Sequence, residues 1–296
     1  MLSPDELAKL RKAGSVAAQA LRKGMDMVAP GVRLSDVAVE VESFIRSHGA
    51  RPAFPVNLSI NEIAAHYTPT PNDRKVFDIG DVVKVDVGAH IDGFVGDTAG
   101  TVEAGTRNFT RLIEASRNAR DAVMEFIGDG CPLNEIGKLV DSSIRRDGFL
   151  PISNLMGHQI KPFNLHAGLS VPNVDDRNKK PVEAGMVLAI EPFATNGGGE
   201  IKGVKLGNIY KVARKLPIAD PELKAFFEEL CAETTSFPFC ERWFDHPKAS
   251  VYINKLMRHG LVTGYAQLVE VKKGCVTQSE HTVYISGKKA EITTLP

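Results

Sequence analysis

The sequence carries no excess of charge of either sign. Lysine and arginine together number 36, aspartate and glutamate also number 36, and the formal net charge at pH 7 is therefore zero. A protein that binds nucleic acid or anionic lipid through an overall basic field needs a surplus of positive charge. We therefore expect no DNA partner and no dedicated nucleic-acid-binding protein, although a local basic patch stays open.

Cysteines and long apolar runs are also scarce. The four cysteines lie far apart and form no C-x-x-C pair, which argues against a zinc knuckle and a disulfide framework. No apolar stretch approaches the roughly 20 residues that span a bilayer. The charged start, MLSPDELAKL, lacks the apolar region of a signal peptide. These absences predict a soluble cytoplasmic protein with no membrane partner.

The chain contains a mixture of helical and strand-like segments. Residues 3–6, Ser-Pro-Asp-Glu, form a capping box with proline at the first helical position, and Pro30-Gly31 ends the helix that follows. A second helix ends before Gly49, and a third runs from about 109 to 127. Between these two helices, valines at 82, 83, 85 and 87 indicate a strand that leads into an Asp-Gly turn. The pattern predicts an α+β fold.

Two stretches of the first half recur in order in the second half. The matched pairs are LSDVAVEVESFIRSHG (34–49) with LNEIGKLVDSSIRRDG (133–148), and GDVVKVD (80–86) with GMVLAIE (185–191). The offsets are 99 and 105 residues, and His66 lies 100 residues before His166. The order and the similar offsets predict two copies of one α+β unit around a pseudo-twofold axis. Asp86 and Glu191 then occupy equivalent positions, each at the end of an apolar strand.

The second copy is interrupted after Glu191. A helix-rich stretch, residues 199–261, precedes the strand-like sequence YAQLVEVKKGCVTQSEHTVYIS. We interpret it as an insertion, so that residues 1–198 and 262–296 form the main domain. Glu280 is then the expected counterpart of Asp97.

The turn at Asp92-Gly93 places two acids together. A two-residue turn pairs residue 91 with 94 and therefore Gly88 with Asp97. Because side chains alternate between faces, Asp86 lies on the same face as Asp97, diagonally across the hairpin. Two buried carboxylates repel each other unless a positive charge lies between them. A metal ion supplies that charge, whereas a lone pair of strand acids is more often structural.

Further acids and histidines strengthen the interpretation of a metal site. His158 lies in MGHQI, His166 in NLHAG, Glu191 in LAIEP and Glu280 in TQSEHTV. Four carboxylates and an imidazole are too rich in oxygen for a tetrahedral structural zinc site. They suit two divalent ions roughly 3.5–4 Å apart, as in two-metal hydrolases. Calcium is the alternative cation, but no EF-hand spacing is present.

These motifs resemble those of the type II methionine aminopeptidases of the pita-bread metallohydrolase superfamily. DVVKVDVGAHIDGFVGD (81–97) carries the resemblance, and NEIAAHYTP, MGHQI, LHAG, AIEPF and QSEHT follow in the family's order. The resemblance covers essentially the whole chain and suggests the short, archaeal-like form. It implies a pita-bread fold with an internal pseudo-twofold repeat and an inserted helical subdomain.

The resemblance also implies the roles of individual residues. The five metal ligands would be Asp86, Asp97, His158, Glu191 and Glu280. They would hold two divalent ions, Co, Mn, Fe or Zn. Glu191 would also be the general base for a metal-held hydroxide, His166 would stabilise the tetrahedral intermediate, and His66 would contact the substrate. The methionine pocket would include Phe54, Leu165, Phe193 and Tyr265.

The implied function is removal of the initiator methionine from nascent polypeptides whose second residue is small. The partners would be the N-termini of those polypeptides, with ribosome contact left open, and the enzyme would be a monomer. Three alternatives remain: a prolidase or aminopeptidase P, a non-catalytic relative that binds RNA or ribosomes, and a calcium-binding structural protein. The presence of all five ligands and the neutral charge favour the enzyme.

The other histidines are expected to have no direct part in this chemistry. His90 and His281 lie next to ligands along the chain but on the opposite face of their strands, so we interpret them as packing or supporting residues. His48, His246 and His259 are expected to be structural or exposed.

Overall fold

The computed structural model describes all 296 residues, and its N-terminal part follows the expected pattern. Helix α1 (Pro4–Asp26) begins at the predicted capping box: the Ser3 hydroxyl accepts the backbone N–H of Glu6, and the Glu6 carboxylate accepts that of Ser3. Helix α2 (Leu34–Ser47) follows the break at Pro30-Gly31. Together these helices cover one face of the first sheet.

The first half of the chain forms a four-stranded antiparallel sheet. Its strands are β1 (Arg51–Pro52), β2 (Asn57–Ile60), β4 (Val82–Ile91) and β5 (Phe94–Glu103), and β3 (Ile63–Ala65) joins another sheet. Strands β1 and β2 pair with successive parts of β4 along one edge, and β5 pairs with β4 along the other edge. The central strand β4 is therefore buried along almost its whole length.

The second half repeats this plan with more and shorter strands. Its elements are α3 (Thr110–Phe126), α4 (Leu133–Arg146), β6 (Leu150–Pro151), β7 (Gly157–Ile160), β8 (Ser170–Val171), β9 (Val187–Ile190), β10 (Phe193–Thr195), β13 (Val276–Gln278), β14 (His281–Ile285) and β15 (Ala290–Ile292). Five of these strands form a sheet in the order β15-β14-β9-β7-β8, and three form the order β13-β10-β6. The predicted α+β class is confirmed.

The internal repeat is visible in matching elements. Helices α2 and α4 each contain 14 residues, and each is followed by a two-residue strand, β1 or β6. The strand register corrects one detail of the prediction. Gly88 pairs with Asp97, and the matching position Phe193 pairs with Gln278. By register, Gln278 and not Glu280 is the counterpart of Asp97.

The stretch 199–261, predicted to be a helix-rich insertion, begins with a long strand. Strand β11 (Ile201–Val212) pairs with β12 (Val262–Glu270), and β12 also pairs with β3. Long antiparallel pairing with a distant partner thus determines the conformation of residues 201–212. Helix α5 (Pro221–Thr234), a 3₁₀ turn (Glu241–Trp243) and helix α6 (Ala249–Arg258) lie between the two arms.

Three hydrophobic clusters stabilise these parts. One cluster packs α1 and α2 against β4, a second packs α3 and α4 against β9 and β14, and a third lies within the inserted helices. The inserted part therefore has a core of its own. No helix in the structure combines the length and apolar character needed to cross a membrane.

Candidate metal centre

The β4–β5 hairpin places the first two acids as predicted. Asp92 and Gly93 both have positive φ angles, 48° and 86°, which is typical of the tight turn that matches the twist of a hairpin. The register pairs Gly88 with Asp97 and Asp86 with Ala99. Asp86 and Asp97 consequently face the same cavity, diagonally across two strands.

The other three predicted ligands come from the second half. His158 lies in β7 opposite Ala189 of β9, Glu191 directly follows β9, and Glu280 directly precedes β14. The His158 Nε2 atom is 3.6 Å from Asp97 Oδ2 and 3.8 Å from Glu191 Oε1. One donor atom each of Asp97, His158 and Glu280 lies within 4.8 Å of the others. The fold thus brings candidate ligands from both halves of the chain into one cluster.

Burial makes this carboxylate cluster unfavourable without a compensating cation. Burial raises the pKa of Asp86 to about 7. It also raises the pKa values of Asp97, Glu191 and Glu280 well above their ordinary range, with repulsion by neighbouring carboxylates adding to the shift. A nearby divalent cation reverses these shifts because it favours the ionised form.

The hydrogen bonding of the cluster also fits a metal. The Oδ1 atoms of Asp86 and Asp97 are buried without any hydrogen-bond partner. Such orphaned acceptors are rare in folded proteins and call for a partner. The side-chain amide of Gln278 donates to one oxygen of Glu191 and one of Glu280, both at 3.3 Å. An oxygen-rich set with one imidazole suits divalent ions such as Mn, Fe or Co.

The cluster lies in a cavity of about 300 Å³. Its lining includes all five predicted ligands and five further residues from the sequence prediction: His66, His166, Phe54, Leu165 and Tyr265. The rings of His158 and His166 lie 4.4 Å apart, and burial lowers the pKa of His166 to about 4. Burial also lowers the pKa of His66. Both histidines are therefore neutral imidazoles near pH 7, each beside the acid cluster.

Phe193 does not line the cavity, contrary to the expectation from sequence. It is fully buried in a small cluster with Ala64, Ile152 and Val276. The strand is interrupted at Glu191-Pro192, between β9 and β10. The Phe193 side chain packs against that small cluster and not against the cavity.

Several lining residues were missed by sequence reasoning. Asn57 lies opposite Asp86 in the β2–β4 pair, and its side-chain oxygen accepts the backbone N–H of His66 at 2.9 Å. Ile209 and Pro238 reach the cavity from the inserted stretch. Asn57 was detectable in principle because it precedes the NEIAAH motif in a strand-like run. The other two depend on tertiary folding and gave no local signal.

The remaining histidines make contacts away from the acids. His90 Nδ1 accepts the backbone N–H of Gly93 at 3.3 Å, and its ring packs 4.5 Å from that of Phe237. His281 Nδ1 lies 2.9 Å from the hydroxyl of Thr294. Both positions agree with the packing role expected from strand alternation.

Comparisons with known proteins identify the family. Residues 8–229 match the model of metallopeptidase family M24. The chain is 42% identical over 287 residues to a methionine aminopeptidase of Methanocaldococcus jannaschii, with 97% of each chain covered. It is 41% identical over 286 residues to the Archaeoglobus fulgidus methionine aminopeptidase, again over 97% of both chains.

A solved structure confirms the fold. The methionine aminopeptidase of Thermotoga maritima superposes with a TM-score of 0.73 at 24% sequence identity, covering 100% of this chain and 98% of that one. This likeness concerns the pita-bread fold alone, whereas the archaeal relatives carry the family assignment. The chain belongs to metallopeptidase family M24 and, within it, to the methionine aminopeptidases.

Proposed function

We propose that the cavity hydrolyses the first peptide bond of polypeptides that begin with methionine. The observation that carries this proposal is one cavity of about 300 Å³ that combines four acids, a histidine cluster and an apolar wall. Its volume is at the small end of ligand sites, which suits a single side chain rather than a long peptide.

Asp86, Asp97, His158, Glu191 and Glu280 would hold two divalent ions, with Co, Mn, Fe or Zn as the candidates. The orphaned oxygens of Asp86 and Asp97 support this assignment. When bound, such ions polarise the scissile carbonyl and lower the pKa of water.

The other steps are assigned to side chains of this chain. Glu191, which lines the cavity, takes a proton from the attacking water as general base. His166, whose ring lies against that of His158, donates a hydrogen bond to the developing oxyanion. His66, which also lines the cavity, contacts the scissile amide.

The apolar wall would select the first side chain. Phe54, Leu165 and Tyr265 line the cavity together with Ile209 and Pro238 of the inserted stretch. This wall accommodates the unbranched methionine side chain. The resemblance to the methionine aminopeptidases implies a small second residue, so the natural substrates would be the N-termini of nascent polypeptides with Gly, Ala or Ser next to methionine.

Release of free methionine from Met-Ala-Ser and Met-Leu-Ser tests the proposal. The protein is first stripped with a chelator and then reconstituted with Mn or Co. We expect cleavage of Met-Ala-Ser only with metal, little cleavage of Met-Leu-Ser, and none of N-acetylated Met-Ala-Ser, in which the free amine is blocked. A folded, metal-loaded protein that cleaves none of these peptides would contradict the proposal.

A further inference from the structure

A buried ion pair connects the inserted stretch to helix α2 in the first half of the chain. Arg242 Nη2 lies 2.6 Å from Glu42 Oε1, and their side chains are only 4% and 7% exposed. Arg242 belongs to the 3₁₀ turn between the inserted helices, and Glu42 belongs to α2. Burying two charges carries a large desolvation cost, so a pair of this kind points to a specific positional role.

The same arginine holds the segment that follows His66. Arg242 Nη1 donates to the Thr68 hydroxyl at 3.0 Å and to the backbone carbonyl of Pro69. Thr68 is fully buried, and its hydroxyl donates in turn to the carbonyl of Val56 at 2.8 Å. The Glu42 carboxylate accepts the backbone N–H of the same Val56 at 3.1 Å. The guanidinium therefore holds Thr68 and Pro69 of residues 66–69, the His66 segment, and the carboxylate holds Val56, which directly precedes β2.

Strand β11 holds the segment from the other side. The backbone N–H of Thr68 donates to the Gly207 carbonyl at 3.0 Å, and the Asn208 side chain donates to the Thr68 carbonyl at 2.9 Å. A Cβ atom at Gly207 would lie 1.5 Å from the His66 carbonyl oxygen, so only glycine fits there. Three residues of the inserted stretch therefore contact the His66 segment, namely Gly207, Asn208 and Arg242.

His66 itself needs such support. Its φ angle is 66°, a left-handed conformation that costs a non-glycine residue free energy and persists only where the surroundings enforce it. Its ring makes one hydrogen-bond contact, from Nδ1 to the Ala266 carbonyl at 3.2 Å, and lies edge-on to Tyr265. The direction of the imidazole is thus determined mainly by the backbone on which it is mounted.

We propose that Arg242, paired with Glu42, is a positioning residue that fixes His66 in the catalytic cavity through Thr68 and Pro69. The inserted stretch then does more than form part of the cavity wall. It also orients the imidazole of His66, a residue that lies outside this stretch. This inference rests on the proposed role of His66 in the reaction.

A double-mutant cycle with His66→Ala tests the inference. Arg242→Lys keeps the charge but loses the two-pronged guanidinium, and Thr68→Val keeps the volume but loses the hydroxyl. Each is measured in the wild-type and in the His66→Ala background, with Met-Ala-Ser as the substrate. In the wild-type background we expect kcat to fall about 10- to 100-fold with little change in KM, because small displacements of a catalytic group have effects of this size. In the His66→Ala background the same changes should cost less than about 2-fold.

The matched control breaks another link between the same two regions. Glu233 of α5 forms ion pairs with Arg46 and Arg51 at 3.1 and 2.6 Å but has no contact with the His66 segment. Glu233→Gln should leave kcat unchanged. Bound metal and the urea midpoint are recorded for every variant, so that loss of metal or of folding is separated from mispositioning.

The outcomes are distinct. Equal losses of kcat in both backgrounds, in variants that fold and retain metal, would show a merely structural role for Arg242 and Thr68 and overturn the inference alone. If His66→Ala leaves kcat unchanged, then the role of His66 within the proposed function is wrong, and the positioning inference falls with it.

Discussion

In the first half of the repeat, β4 and β5 each run for ten uninterrupted residues, whereas in the second half the matching strands are broken on both sides of the site. The breaks fall at Glu191-Pro192 and at Ser279-Glu280. In the first half a two-residue turn closes the hairpin, and in the second half the inserted stretch lies in its place. Both halves therefore supply carboxylates, but those of the first half lie within continuous strands and those of the second half lie at strand ends.

The continuous and the interrupted strands contribute differently to the candidate site. The continuous hairpin fixes Asp86 and Asp97 through backbone register alone. In the second half Glu191 and Glu280 lie at the ends of β9 and β14, and the Gln278 amide donates a hydrogen bond to each. The break also admits the insertion, which brings Ile209 and Pro238 to the cavity. The first half thus supplies two acids on a continuous hairpin, and the insertion in the second half supplies part of the cavity wall.

Removing a ligand from the first half should have the largest effect. Asp97→Asn keeps the shape of the side chain but removes the charge that binds a cation. We expect loss of bound metal and a fall in kcat/KM of about 1,000-fold or more, above the 10- to 100-fold typical of residues that only support ligands. Metal analysis and peptide cleavage measure both quantities. Asp92→Asn, at the exposed turn of the same hairpin, is the control and should change neither.

The apo form of Asp97→Asn provides a second readout. Because burial and neighbouring carboxylates raise the pKa of Asp97, its ionised form destabilises the folded chain when no cation is present. The neutral amide should therefore raise the free energy of unfolding of the chelated protein at pH 8. A lower value would mean that the charge at position 97 is compensated by something other than metal.

The stability of the metal-free protein should depend on pH, because the cluster contains both acids and an imidazole with shifted pKa values. The pKa of Asp86 rises from an ordinary 3.8 to about 7 through burial, so the folded apo protein binds protons that the unfolded chain does not. Its contribution to stability is thus present below pH 4 and is lost as pH rises to about 7. His158 opposes this trend, since burial lowers its pKa to about 3 and its contribution is lost as pH falls below 6.5.

Metal binding needs deprotonated carboxylates and a neutral imidazole, so protons compete with it throughout this range. The stabilisation by metal should therefore be larger at pH 8 than at pH 5, reaching about 2.7 kcal/mol when the metal is at 100 times its dissociation constant. Urea unfolding with and without chelator at the two pH values measures it. Equal stabilisation at pH 5 and pH 8 would argue against coordination by this acid cluster.

Much of the metal centre could be predicted because its signals are local. Asp92-Gly93 dictates the hairpin register, and the register alone brings Asp86 beside Asp97. The errors arose where distant pairing decides the structure. Phe193 is buried against residues from distant parts of the chain, namely Ala64, Ile152 and Val276. Residues 201–212 form a strand because β12 lies beside them. The Arg242–Glu42 pair joins residues 200 positions apart, so no local pattern reveals it.

Gln278 allows a test of the support in the broken half. Gln278→Leu removes both hydrogen bonds to Glu191 and Glu280 at similar volume. We expect metal affinity to fall about 10- to 100-fold, as is typical when a partner of a ligand is lost. Isothermal titration with Mn measures the change. Thr277→Val is the matched control on the same strand, because Thr277 bonds to the Leu112 carbonyl instead, and it should lower stability without changing metal affinity.

The smallest expected effect concerns the position where the two halves differ most in side-chain size. Gly88 and Phe193 occupy equivalent positions in the two strand ladders. Gly88 has no side chain, whereas the Phe193 ring packs in a hydrophobic cluster. A Cβ atom at Gly88 would lie 2.3 to 2.9 Å from atoms of the Phe54 ring, so Gly88→Ala must displace that ring within the cavity. We expect kcat/KM for Met-Ala-Ser to fall about 10-fold through KM, the size of effect that a changed apolar pocket produces. In the Phe54→Ala background the same substitution meets no ring and should have no effect. If it lowers kcat/KM equally in both backgrounds, the requirement for glycine comes from the β4–β5 backbone and not from the pocket.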